Sequence, residues 1–256
     1  MSTKPYKGFE PKWLLTPAPE GSYRSIFRWG DPNFFKYPKE SLYKLMKETF
    51  KMTDEDFKEY TDDIGFDQVD LSSVPSKIDE KHIAALKKIV GDDFVTTGDY
   101  QRLSVAYGAT AYDLLRLRHK IFENIPDVVV YPDTTEHVEK IVKYAVENKI
   151  PLYVYGGGSS VTRGMEAVKG GITLDMRKRF NKLISFNETD QTVTVQAGMS
   201  GPDLENMLQN APTTLGAKRA YTCGHFPQSF EYSSVGGWTV TRGAGQNSTY
   251  YGTIAD

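Results

Sequence analysis

Between Tyr155 and Val161 the chain reads YGGGSSV, a run whose residue types suit contact between a backbone and an anion. Glycine reaches positive φ at no steric cost, so the N–H groups of Gly156, Gly157 and Gly158 can converge on one oxyanion. A Cβ at these positions is expected to hold a phosphate away from the amides. Ser159 and Ser160 add hydroxyl donors beside them, and Tyr155 stands immediately before. Three glycines taken alone also describe a tight turn that binds nothing.

A second stretch carries the same mixture. Gln228, Ser229, Ser233 and Ser234 precede the paired glycines Gly236 and Gly237, and Thr241 and Arg242 follow. Two such loops in one domain suit a ligand with two phosphates and a long body. Spacing sets them apart from commoner phosphate motifs. No lysine follows at the offset of G-x-x-x-x-G-K-[ST], which disfavours a nucleoside triphosphatase. Gly156, Gly158 and Gly164 miss the G-x-G-x-x-G spacing, although Asp175 lies near the distance at which that motif expects an acid. Arg242 can neutralise part of a diphosphate; an ordinary surface ion pair is its alternative. His225 has the chemistry of an acid or base, but a role in fixing its own loop is the favoured reading. Cys223 reads as a packed or loop thiol, since nothing around it marks a reactive thiolate.

The composition bounds the rest. With 256 residues, 39% apolar and 25% charged, the chain has the makeup of a globular protein of one or two domains. A net charge of −2 leaves no electrostatic footprint for nucleic acid, so small molecules or proteins are the expected partners. One cysteine and four histidines without ligand spacing predict no structural metal. No apolar run approaches the ~20 residues of a membrane span, and the N-terminus lacks a signal-peptide core. A cytoplasmic protein is expected, associated with a membrane surface if its substrate is lipid-like.

The elements that must position the two loops follow from periodicity. Residues 1–38 read as an extended arm, and from Pro38 the spacing of Leu42, Leu45, Met46 and Phe50 predicts a helix. Thr53 with Asp56 forms a capping pair at the start of a short acidic helix. Asp79 to Val90 and Tyr112 to Phe122 are further helices. From Pro126 the text becomes a β-α-β unit: a buried strand at Asp127–Tyr131, a helix capped by Asp133 with Glu136, and a second strand, Ile150–Tyr155, that runs straight into the glycines. Short strands at Gly171–Asp175, Leu183–Phe186 and Thr192–Gln196 and a helix capped by Ser200 complete an α+β pattern.

Four stretches, Ile125 to Pro132 (IPDVVVYP), Tyr155 to Val161, Gly224 to Pro227 (GHFP) and Ser233 to Trp238 (SSVGGW), together resemble the FAD-linked oxidase superfamily, the vanillyl-alcohol-oxidase-type flavoproteins. Within it the chain is most similar to the alkyldihydroxyacetonephosphate synthase subfamily and its bacterial relatives. Arg28-Trp29-Gly30 and the helix before Phe122 look like that subfamily too, so the resemblance covers nearly the whole chain. It implies an FAD-binding domain of two α+β subdomains at residues 123–256, the second incomplete, preceded by an N-terminal arm and helical region at 1–122. It implies that Tyr155 to Ser160 line the diphosphate of FAD, while Gln228 to Ser234, the glycine pair Gly236 and Gly237, and the stretch with Thr241 and Arg242 hold further parts. Many relatives link the flavin covalently through a histidine in the first loop; Ser159 and Ser160 stand here, so non-covalent FAD is expected.

The resemblance also implies what the chain does. The leading expectation is the FAD-binding portion of a flavin-dependent oxidoreductase acting on a small hydroxylated substrate such as a 2-hydroxy acid. The alternatives are synthase-like alkyl transfer in ether-lipid synthesis, or an FAD-binding module without activity of its own. Relatives continue beyond Asp256 into a substrate-binding cap, so no catalytic residue is assigned, and a homo-oligomer or completion by a further C-terminal segment is expected.

Overall fold

Val128, Val129 and Val130 form a strand in which no side chain is exposed. A β-branched run buried on both faces needs cover on each, a condition that parallel strands between helices meet. The structure, a computed structural model, describes residues 18–26, 40–56 and 65–255. The chain divides into two compact units, residues 1–69 with 114–121 and residues 70–113 with 122–256.

In the first unit the described helices are α1 (Tyr23–Ile26) and α2 (Glu40–Phe50). Tyr23 is buried, and its amide and that of Arg24 donate to the carbonyls of Asp67 and Gly65 at 3.3 and 2.8 Å. The helical spacing of Leu42, Leu45 and Phe50 is borne out in α2, but all three side chains are exposed and Tyr43 is the buried one. Thr53 and Asp56 cap each other as expected: the Thr53 amide donates to Asp56 Oδ2 at 2.6 Å, and the Asp56 amide donates to Thr53 Oγ1 at 3.3 Å. The remainder of that acidic helix, most of the arm, Arg28-Trp29-Gly30 and Pro38 lie outside the described residues.

The second unit holds α3 (Glu80–Val90), β1 (Val95–Thr96), α4 (Asp99–Ser104) and the first residues of α5 (Ala111–His119), which ends in the first unit. Next come β2 (Val128–Val130), α6 (Thr135–Glu147), β3 (Leu152–Tyr155) and β4 (Ile172–Asp175). They are followed by β5 (Leu183–Asn187), β6 (Thr192–Val195), α7 (Gly201–Gln209), α8 (Ala211–Thr214), α9 (Val235–Val240) and α10 (Ser248–Tyr251). A four-stranded sheet runs β1-β2-β4-β3, with β4 parallel to both neighbours and β1 antiparallel to β2; β5 and β6 form an antiparallel pair of their own. This is the expected α+β fold.

Strand alternation sorts the valines. Val128 and Val130 join Leu86, Ile141, Ile172 and Leu174 in a core between the sheet and α3 and α6, while Val129 joins Val105, Tyr131, Tyr155 and Met165 on the other face. Fully burying each aliphatic side chain contributes roughly 1.5–3 kcal/mol, so the sheet is the rigid base of everything that follows it. Met199, Leu204, Leu208 and Trp238 form a further cluster that ties α7 to α9.

Leu86 and Val90 of α3 complete the first core, and β1 pairs with β2 in the register Val95↔Val130. One expectation is corrected. The cap of α6 is Thr134, whose Oγ1 accepts from the His137 amide at 3.2 Å, and not Asp133. Asp133 instead receives Lys182 Nζ at 2.5 Å and Arg179 at 3.3 Å, and the bond from Lys182 holds its carboxyl below the usual range. Ser200 caps α7 as expected, accepting from the Asp203 amide at 3.1 Å.

Candidate functional site

β3 delivers the glycine run. Its last residue, Tyr155, is buried and lies in register with Asp175 of β4, and the half-buried loop Gly156–Ser160 begins immediately after. The side of these glycines that lacks a Cβ faces protein, not open space. A Cβ on Gly157 would fall 2.5 Å from Ser233 Cα and inside the Tyr232 carbonyl oxygen, and one on Gly156 would overlap Ser234 Oγ. Gly158 has φ of 75°, and a Cβ there would overlap the Tyr155 hydroxyl. The glycines are therefore required first for the seating of one loop on the other, which corrects the expectation that their open side faces the phosphate.

Among the described residues, no acceptor takes a hydrogen bond from the N–H groups of Gly157, Gly158, Ser159 or Ser160. The loop is anchored at its far end, where the Ser160 carbonyl accepts from the Ala109 amide at 3.0 Å. Gly108 passes so close to that carbonyl that a Cβ would collide with it. Ser160 Oγ lies 3.2 Å from Thr162 Oγ1. A row of amides without a protein acceptor can converge on one oxyanion.

The second stretch uses its polar groups differently. Gln228 is exposed, and Ser229 opens a 3-10 turn, Phe230–Tyr232, that leads to the buried pair Ser233 and Ser234. Ser233 Oγ accepts from Trp238 Nε1 at 2.6 Å, and Ser234 caps α9 by accepting from the Gly237 amide at 3.3 Å. A hydroxyl that accepts still has its own proton to donate, so both serines keep one donor. Thr241 does not: its hydroxyl donates to the Gly237 carbonyl at 2.8 Å. Gly236 allows α9 to lie on Ala197, to whose Cβ its own would come within 2.7 Å. Arg242 is exposed at the end of α9 with φ of 49°, and the ion pair considered for it is not seen among the described residues.

The buried Asp175 and the partly exposed Arg177, and with them the buried Tyr131, were not assigned from sequence. Arg177 donates twice to Asp175, at 2.9 and 2.6 Å, with its guanidinium 4.6 Å from the centre of the Tyr155 ring. Burial opposes the Arg177 charge, but the Asp175 bonds outweigh it and hold the guanidinium firmly protonated. Asp175 thus braces the strand end. Burial, reinforced by Asp175, pushes the nearby Tyr131 phenol up to about 12, so it stays neutral. The Asp-x-Arg spacing across a strand end is the one signal that marks this pair in the sequence.

His225 and Cys223 stand at the entry to the second stretch. His225 is buried with its ring 5.0 Å from that of Trp238, and burial pulls its pKa down. Burial raises the Cys223 thiol to about 11, which agrees with a packed thiol and not a nucleophile.

The FAD binding domain family matches residues 126–256, half of the chain, and that stretch contains both loops. Alkyldihydroxyacetonephosphate synthase of Dictyostelium discoideum is 30% identical over 230 residues, 88% of this chain and 36% of the relative. D-lactate dehydrogenase (cytochrome) 1, mitochondrial, of Saccharomyces cerevisiae is 29% identical over 192 residues, 74% of this chain and 30% of the relative. A solved structure of alkyldihydroxyacetonephosphate synthase superposes with a TM-score of 0.64 at 31% identity, over 70% of this chain and 35% of that one. The chain spans about a third of the length of these relatives. The loops, the sheet that carries them and the matched family agree: the chain belongs to the FAD binding domain family, of the vanillyl-alcohol-oxidase-type fold, and its cofactor is FAD.

Proposed function

We propose that the loop Gly156–Ser160, seated on Ser233–Gly237, holds the diphosphate of FAD without a covalent bond, as part of an oxidoreductase that acts on a small hydroxylated substrate. The observation that carries this is the row of backbone donors at Gly157 to Ser160 that no described residue accepts from. Ser233 and Ser234 orient the second loop from beneath, with one donor each to spare. Tyr155 and the Asp175–Arg177 pair hold the strand end in register so that the loop starts at a set height above the sheet. Arg242, with no ion pair among the described residues, is the cation available to a ligand at the far end of α9. Bound FAD supplies the two-electron acceptor; the chain binds and orients it.

A 2-hydroxy acid is the proposed substrate class, supported by the D-lactate dehydrogenase similarity. Alkyl transfer of the synthase kind is the second reading, favoured by a similarity that reaches 88% of the chain and extends well before the FAD-binding stretch. The test is a titration of the purified chain with FAD, followed by acid precipitation. Saturable binding with all flavin released into the supernatant supports the proposal, and absence of binding sinks it. Bleaching of the loaded protein by D-lactate or glycolate then supports the first substrate class. Exchange only with an acyl-dihydroxyacetone phosphate supports the second, and binding without either leaves an FAD-binding module.

A further inference from the structure

Both ring nitrogens of His225 are buried and have no hydrogen-bond partner among the described residues, and the residue is only 5% exposed. A neutral imidazole carries one N–H and one lone pair whichever tautomer it adopts, so a donor and an acceptor are both left unmade. That is costly in the free protein, and native chains rarely keep such a group without a purpose.

Its surroundings say what kind of partner is missing. His225 meets the Trp238 ring edge-on, Trp238 stacks on Phe230 at 5.9 Å, and Phe226 lies 5.0 Å from Phe230. Nothing charged contributes to the lowered pKa, which burial alone produces, so the imidazole is neutral at neutral pH. A neutral imidazole on an aromatic wall is a poor host for a phosphate and a good one for the polar edge of an uncharged ring. Position agrees. The glycine loop meets Ser234 at the start of α9, whereas His225 Nε2 lies 3.5 Å from where a Cβ of Gly243 would stand, beyond the end of α9.

We propose that His225 hydrogen-bonds the edge of a heteroaromatic ring of the bound dinucleotide, at the opposite end of α9 from the diphosphate. This rests on the FAD-binding proposal above. Adenine and isoalloxazine share the required chemistry, ring nitrogens and exocyclic polar groups in one plane, and the experiment separates them.

Affinities of FAD, ADP, FMN and inorganic pyrophosphate are measured for the wild type, His225→Phe and His225→Gln, together with the urea midpoint of each chain without ligand. His225→Phe is expected to weaken FAD about tenfold, the worth of one buried hydrogen bond, and to leave pyrophosphate unchanged. It weakens ADP alone if the ring is adenine and FMN alone if it is isoalloxazine. His225→Gln, which keeps a donor and an acceptor, retains most of the affinity. The ligand-free midpoint of His225→Phe stays level or rises, because an unpartnered polar group has been removed from an apolar site. Equal weakening of all four probes, no weakening of FAD, or a lowered midpoint or failure to fold in His225→Phe overturns the inference, since each marks a phosphate contact, no contact or a structural histidine. A wild type that binds none of the probes instead defeats the FAD-binding proposal itself.

Discussion

The two loops look alike in sequence and behave oppositely in the structure. In Gly156–Ser160 the glycines serve the protein, by admitting Tyr232, Ser233 and Ser234 to close contact, and the amides of Gly157 to Ser160 bond to no acceptor among the described residues. In Ser233–Thr241 the backbone and most hydroxyls serve the protein: Ser233 holds Trp238, Ser234 caps α9, and Thr241 bonds back into its own helix. The difference teaches that residue types typical of phosphate loops mark closeness of backbones as much as contact with phosphate. What separates the two uses is which groups are left without a partner.

The sharpest way to break the comparison is Gly157→Ala. Its methyl would meet the Tyr232 carbonyl and Ser233 Cα, so the loops must part; FAD affinity is expected to fall at least about a hundredfold and stability by about 1–3 kcal/mol, read from flavin fluorescence and urea melts. Gly164→Ala is the contrast, since nothing among the described residues lies within 4 Å of its Cβ position, and neither quantity should fall. Comparable damage at both sites would mean that loop flexibility, and not seating, is what glycine provides.

Ser233→Ala comes next. It strands the buried Trp238 indole N–H, whose bond to Ser233 is 2.6 Å, and is expected to cost about 1–3 kcal/mol in a urea melt. Ser234→Ala removes the cap of α9 and should cost about 1 kcal/mol. A loss of FAD affinity much greater than the loss of stability in either variant would show that the second loop also supplies donors to the ligand.

The smallest effect is one of pH. Burial lowers the His225 pKa in the folded chain, so below ~6.5, the ordinary imidazole value, the unfolded chain binds more protons than the folded one. His225 therefore contributes a loss of stability that sets in as pH falls through ~6.5 and is absent above it, with a slope of at most about 1.4 kcal/mol per pH unit. Subtracting the urea-midpoint profile of His225→Gln from that of the wild type should isolate this slope, and superposable profiles would contradict a buried neutral imidazole.

Much of the scaffold was legible. The caps at Ser200 and Thr53 and the β5-β6 pair rest on contacts between near neighbours, and β2, β3 and β4 are apolar runs long enough to read although their pairing is distant. Strand β1 did not show, because two residues have no period, and its existence depends on pairing with Val129 and Val130 far along the chain. Asp133 and Thr134 are both good caps by type, and the choice fell to Thr134 once Lys182 and Arg179 had drawn Asp133 away.

By itself the sequence determined the α+β class, the glycine loop at the end of β3, the second polar-glycine stretch and, through resemblance, FAD. These follow from local rules: glycine where backbones must approach, alternation where strands are half-covered, caps where helices begin. Only the tertiary structure decided that the two loops touch, that the Cβ side of the glycines meets protein while their amides find no acceptor among the described residues, that Asp175 braces Arg177, and that His225 is buried with both nitrogens unmatched among those residues. Each of those depends on atoms brought together from distant parts of the chain, and whether a polar group has a partner is a property of that packing, which no local pattern of residues encodes.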